Sequence, residues 1–153
     1  MKILIDADSC PKDARELILR TAKKRKIETV FAANRAIPGI SGENTSMIIC
    51  PVTDNSADDS LTEIAVPGDL AVSRDLALAK RLLEKGAVVI DDRGRTFTSE
   101  NINELLSLRD FTVALAENGL GTERTANYSK KDLKKFADSL DRELTKINNK
   151  NKK

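Results

Sequence analysis

Aspartate recurs directly after the short apolar runs of this 153-residue chain. Asp6 and Asp8 follow residues 2–5. Asp54, Asp58 and Asp59 follow residues 46–50, Asp75 follows residues 70–73, and Asp91 with Asp92 follow residues 87–90. In an open parallel sheet, ligands bind beyond the carboxyl ends of the strands. If these runs are neighbouring strands, four or more carboxylates converge on one pocket. Their mutual repulsion is relieved most simply by a divalent cation, and a donor set of oxygen alone favours Mg²⁺ or Mn²⁺, as one or two ions, over zinc. The residues alone leave the metal-binding set open among Asp6, Asp8, Asp54, Asp58, Asp59, Asp75, Asp91 and Asp92. Taken singly, several of these residues have a purely structural explanation, since Asp54, Asp58 and Asp75 are placed to cap helices and Asp69 to sit in a turn with Pro67 and Gly68.

The rest of the composition narrows the chemistry. The chain has no histidine, which removes Ser-His-Asp and Cys-His catalysis and histidine-ligated zinc. Its two cysteines form neither a disulfide framework nor a four-thiolate site. Cys10 precedes Pro11 at an expected helix start, where a helix dipole lowers a thiol pKa, but acidic neighbours oppose that effect and packing is the expected role. Cys50 reads as a core residue. Lys12, Arg15, Arg74 and Arg93, with Arg95, are the cations nearest the expected pocket. Arginine grips phosphate bidentately, and such contacts position a polyanion without reading its sequence.

The elements that must position these groups follow from patterning. Residues 2–5, 28–33, 46–50, 70–73 and 87–90 read as strands, and residues 12–26, 56–65 and 75–84 as helices between them. Ser9, Cys10 and Pro11 supply a cap and an early-turn proline for the first helix, and Ser56 to Asp59 resembles a capping box. Short apolar strands alternating with helices predict an α/β three-layer sandwich with a mainly parallel central sheet. Beyond Thr98 the pattern is helical. Thr98 or Ser99 caps a helix through Leu106, another spans about 108–118, and Ser129 caps a last amphipathic one. Residues 121–128 are the expected flexible link and 148–153 a disordered basic tail.

Charge is unevenly spread. Residues 1–121 hold 16 Lys and Arg against 19 Asp and Glu, whereas residues 122–153 hold 10 against 5. The basic end suits a polyanion or a solvated helix, and the run from Lys23 to Lys26 complements a helix dipole. An aromatic content of 3% argues against a base-stacking platform. No apolar run approaches the ~20 residues of a membrane span, and the first residues lack a signal-peptide pattern, so no membrane partner and a cytoplasmic location are expected.

The ordered set ILIDADSCP at the start, AAN at 32–34, ADD at 57–59, GDLAVSRDLALA at 68–79, EKGAVVIDDRG at 84–94 and LLSLRDF at 105–111 resembles the YaiI/YqxD family of bacterial proteins. That family is in turn similar to PIN-type ribonuclease domains. The resemblance covers residues 1 to about 120 and implies a PIN-like α/β domain over 1–121, and the amphipathic pattern beyond it reads as a C-terminal helix over 122–147 packed on or near that domain. It also implies a hydrolase, a metal-dependent nuclease acting on RNA, with Asp6, Asp58 or Asp59, Asp75 and Asp91 as catalytic carboxylates and Lys12, Arg15, Arg74 and Arg93 on the substrate. PIN-type enzymes activate water with one or two Mg²⁺ or Mn²⁺ ions. The chain departs from the pattern at Asp92, where proline is frequent, and at Asn55, where aspartate is.

Two other functions compete. ILIDAD also resembles the D-x-D start of haloacid-dehalogenase-like phosphatases, with Asp6 as nucleophile, Asp8 as general acid, and Ser73, Lys80 or Lys85, and Asp91-Asp92 in later motifs. Against it, Ser9-Cys10-Pro11 departs from that motif's continuation and the helix leaves no room for a cap domain. The third is a non-catalytic PIN-like module binding RNA or protein. A homo-oligomer is compatible with each.

Overall fold

The apolar runs pair into one sheet in the computed structural model, which describes residues 1–52, 56–117 and 128–151. Its strands are β1 (Lys2–Asp6), β2 (Glu28–Ala33), β3 (Thr45–Ile49), β4 (Leu70–Val72), β5 (Val88–Ile90) and β6 (Thr96–Phe97), in the order β3-β2-β1-β4-β5-β6. All pairs are parallel except β5 with β6. Ile5 stands opposite Phe31 on one side and Val72 on the other, so β1 is central. The chain moves outward from β1 through β2 and β3, then returns to β1's other side at β4. That reversal separates the loops above β1 and β4 and opens a crevice there.

Five helices lie among the described residues: α1 (Lys12–Arg25), α2 (Ser56–Ile64), α3 (Leu76–Glu84), α4 (Ile102–Glu117) and α5 (Lys130–Asn151). Side chains alternate across a strand, so Ile3 and Ile5 face one way and Leu4 the other. The first face packs on Ala14 and Ile18 of α1 and on Phe136, Leu140 and Leu144 of α5. The second packs on Leu61 of α2, Leu78 and Leu82 of α3 and Ile102 of α4. The expected three-layer α/β sandwich is therefore the observed one. Burying each large side chain of α5 contributes roughly 1.5–3 kcal/mol, so this helix is part of the core. It continues through Asn151, into the stretch expected to be a tail. The expected link at 121–128 lies, except for Tyr128, outside the described residues.

Three local expectations differ from the structure. Residues 102–117 form one helix rather than two, because no glycine or proline interrupts Leu106-Ser107-Leu108. β6 is too short to show alternation in sequence, yet it closes the sheet edge through two antiparallel pairs. Pro11 occupies the N-cap of α1 rather than its first turn, because a 3-10 turn at Ala7–Ser9 comes between strand and helix. The caps at Thr98 and Ser129 form as expected. Thr98 N–H donates to Asn101 Oδ1 at 2.8 Å and Asn101 N–H to Thr98 Oγ1 at 3.1 Å. Ser129 and Asp132 make the same reciprocal pair at 3.0 and 3.1 Å.

Asp69 marks the amino end of the sheet. Fully buried, it accepts Lys2 Nζ at 2.6 Å, Lys2 N–H at 3.0 Å and Val66 N–H at 2.9 Å. Those donors offset the desolvation of its charge and fix β4 against β1. No helix of the described residues is long and apolar enough to cross a membrane.

The turn between β5 and β6 touches α5 at Gly94. Its φ is +87°, and a Cβ there would lie 2.5 Å from the Lys135 carbonyl oxygen. Gly39 has the same φ of +87° and nothing within 4 Å of that position. Both alanine substitutions carry a left-handed backbone penalty of about 1–2 kcal/mol, but Gly94→Ala alone must also displace α5. Urea unfolding followed by circular dichroism is expected to place Gly94→Ala clearly below Gly39→Ala in stability; equal losses would contradict the close contact.

Candidate carboxylate site

The crevice at the strand reversal is a cavity of about 330 Å³ lined by Asp6, Asp8, Ser9, Asn34, Ser56, Ala57, Asp58 and Asp75. Each acid arrives from a different piece of the fold. Asp6 is the last residue of β1, Asp8 lies in the 3-10 turn, Asp58 in the first turn of α2, and Asp75 caps α3.

Asp6 is the most enclosed, at 9% exposure. Burial raises its pKa, and Asp75 and Asp8 push the same way, while hydrogen bonds from Ser9 and Ser73 oppose the rise. Both serine hydroxyls donate to Asp6 Oδ2 at 3.2 Å. Ser73 Oγ also accepts the Asp75 N–H at 3.0 Å, so one hydroxyl links the ends of β1 and β4. Asp75 Oδ1 accepts Ala77 N–H at 2.9 Å and Leu78 N–H at 3.2 Å. Asp8 Oδ2 accepts the Asn34 N–H at 2.8 Å, tying the 3-10 turn to the end of β2. Thus Asp6, Asp8 and Asp75 each commit one oxygen to the scaffold, which orients the carboxyl group and leaves its other oxygen for the cavity.

Asp58 carries the electrostatic cost. Its pKa is pushed up to about 6, first by burial, then by Asp75 and Asp6, with Arg81 opposing. Asp59 points elsewhere and pairs with Arg81 at 2.9 Å, so of these two neighbours it is Asp58 that lines the cavity. Asp91 is also outside the lining. Its Oδ1 accepts Arg93 N–H at 2.9 Å and Arg95 N–H at 2.8 Å, closing the turn into β6.

The cations named from sequence divide similarly. Lys12 is exposed at the start of α1. Arg15 Nη1 donates to the Cys10 carbonyl at 2.6 Å, Arg74 pairs with buried Asp92, and Arg93 pairs with Asp132 at 3.6 Å. None lines the cavity. Cys10 is buried, and its thiol is pushed up to about 12, mainly by burial and then by Asp92, so it is a neutral packing group at ordinary pH. Sequence reasoning did not name Ser9, Asn34 or Ser56 for this cavity, and named Ser73 only within the phosphatase alternative. Ser73 had a signal in lying two residues before a strand-end Asp.

Among the described residues, no three Asp, Glu or Cys side chains are arranged as a ready-made metal cage; Asp54 lies outside those residues. The donor chemistry nonetheless suits a hard cation, because every charged group in the lining is a carboxylate and Asp58 is destabilised in its ionised form. Mg²⁺ typically takes one or two carboxylates and completes its shell with water and substrate phosphate, which such an open cluster allows. Without divalent cations, the folded chain binds a proton at Asp58 between its ordinary value of 3.8 and about 6. The wild type should therefore gain stability relative to Asp58→Asn as pH falls from about 7 to 5. Thermal unfolding of both in EDTA across that range checks this, and parallel curves would contradict the raised pKa.

The family model described as "Uncharacterized BCR, YaiI/YqxD family" matches residues 4–146. A UPF0178 protein of Treponema denticola is 46% identical over 146 residues, covering 95% of this chain and 93% of its own. UPF0178 proteins of Myxococcus xanthus and Treponema pallidum are 44% and 41% identical over 147 residues, covering 96% of this chain and 96% and 83% of theirs. No solved structure matches. With its ordered motifs matched over nearly the full length, the chain belongs to the YaiI/YqxD family, the UPF0178 proteins.

Proposed function

We propose that this protein is a divalent-cation-dependent nuclease that hydrolyses phosphodiester bonds, with RNA as its substrate. The observation that carries the reading is the cavity at the strand reversal, which Asp6, Asp8, Asp58 and Asp75 line together with no Lys or Arg among the described lining residues. The likeness to PIN-type ribonucleases at ILIDAD and SRD supports it. Asp6, Asp58 and Asp75, with Asp8, would hold Mg²⁺ or Mn²⁺.

Such an ion supplies a lowered water pKa and stabilisation of the departing oxygen. The chain's own residues do the positioning. Ser73 holds Asp6 and the Asp75 backbone in one bonded unit, so the two carboxyl groups above β1 and β4 keep a fixed relation. Asp58, in the first turn of α2, brings a further carboxyl group to the same cavity. Arg74 is held against Asp92 beside the cavity, where a phosphate oxygen competes with that carboxylate for the guanidinium.

Calorimetric titration with Mn²⁺ and Mg²⁺, alongside cleavage of single-stranded RNA on the same samples, tests the proposal. Asp6→Asn keeps a hydrogen-bond acceptor for Ser9 and Ser73 and is expected to fold. It should lose cation binding and reduce cleavage by about 100-fold or more. Cleavage unchanged in Asp6→Asn, or no cation binding by the wild type at millimolar concentration with or without RNA, would overturn it.

A further inference from the structure

A carboxylate cavity repels the backbone of the substrate proposed for it, so a polyanion needs a cationic hold outside the cavity. We infer that this hold is the start of α5, where Lys130, Lys131, Lys134 and Lys135 bind backbone phosphates of a single-stranded RNA whose reacting bond lies at the carboxylate site. The inference rests on the nuclease reading for the strand's position, and extends it by naming where the substrate is gripped.

The first argument is that α5 packs on the sheet through other residues than these lysines. All four are exposed, and none closes an ion pair among the described residues. Lys130 and Lys131 stand in the first turn of the helix, where the macrodipole is positive and cations are unfavourable, and Lys134 and Lys135 follow in the second. Lys23, Lys24 and Arg25 are different, because they lie in the last turn of α1 and complement its dipole. Within α5, Lys135 has a favourable charge interaction with Asp132, and a phosphate backbone would give the exposed cluster a common partner.

Position is the second argument. Tyr128 Oη donates to the Asp92 carbonyl at 2.6 Å and Asp132 pairs with Arg93 at 3.6 Å. Gly94 admits the Lys135 carbonyl at a distance no side chain could tolerate. These contacts fasten the start of α5 to the carboxyl end of β5, two strands from β1. At the usual strand spacing that is about 10 Å from the end of β1. Lysines and carboxylates thus share one end of the sheet.

Charge gives the direction of approach. The helices on the α1 and α5 side hold 13 Lys and Arg against 6 Asp and Glu, whereas α2, α3 and α4 hold 3 against 7. A polyanion is drawn over the first side and repelled from the second. With aromatic residues at 3%, the contacts are to phosphate rather than to stacked bases, so binding is indifferent to sequence and steeply salt-dependent.

The test is fluorescence anisotropy of a short labelled single-stranded RNA of mixed sequence, titrated in EDTA at several salt concentrations. The lysine variant carries Lys130→Gln, Lys131→Gln, Lys134→Gln and Lys135→Gln. The control, of equal net charge, carries Lys23→Gln, Lys24→Gln, Lys26→Gln and Lys150→Gln at the opposite end of the sheet. The lysine variant should lose about tenfold or more in affinity, with its salt slope falling by about 0.7 for each phosphate contact removed. The control should lose much less, and Mn²⁺ binding and thermal stability of the lysine variant should be retained. Equal losses in the two variants, unchanged RNA affinity in the lysine variant, or lysine-dependent binding to phosphatidylglycerol vesicles without RNA binding would overturn the inference. RNA binding through these lysines without cleavage in Mn²⁺ would remove the nuclease reading and leave the anchor standing. Cleavage by the wild type with unaltered RNA affinity in the lysine variant would do the reverse.

Discussion

The buried carboxylate of Asp6 is the constraint around which the site is arranged. A carboxyl group at 9% exposure needs hydrogen-bond partners, and it finds two, the hydroxyls of Ser9 and Ser73. Ser9 reaches it because the chain makes a 3-10 turn before α1, and Ser73 because β4 lies directly beside β1. Those two bonds join the turn after β1 to the end of β4. The same Ser73 oxygen accepts the Asp75 backbone, which places the cap of α3 beside Asp6. The crevice, the cap and the cluster are therefore aspects of one bonded unit rather than separate features.

The acids of this chain divide by what surrounds them. Asp69 is buried at the amino end of the sheet with Lys2 and backbone donors around it, and its charge is matched within the fold. Asp92 is matched by Arg74, and Asp91 by the N–H groups of its own turn. Asp58 has no ion-pair partner among the described residues, and burial first, then Asp75 and Asp6, push its pKa up to about 6 against the pull of Arg81. The acidic cavity at the strand reversal and the four lysines in the first turns of α5 lie at one end of the sheet, which is the juxtaposition on which the proposed cation and polyanion sites rest.

Much of this was legible in the sequence. The strand from 28 to 33 was read with the boundaries it has, and the α/β alternation fixed the layers, because period and turn residues act locally. That Asp6, Asp8 and Asp75 line one cavity was legible because position after a strand follows from strand prediction. The choice of Asp58 over Asp59 was not, since it depends on the rotation of α2 and on Arg81 from α3 claiming one of the two. Asp91 looked equivalent to the others until its turn was seen to use its oxygen. Arg15, Arg74 and Arg93 were placed near the pocket by topology, but their partners Cys10, Asp92 and Asp132 are contacts that spacing does not reveal.

The central claim, that the convergent carboxylates above β1 and β4 form a divalent-cation site, is tested most directly by anomalous diffraction from crystals soaked in Mn²⁺. The account predicts an anomalous peak in the cavity within coordination distance of Asp6 and of Asp58 or Asp75. A cavity without a peak in crystals soaked at millimolar Mn²⁺, or a peak at Asp59 or Asp91 alone, would contradict it.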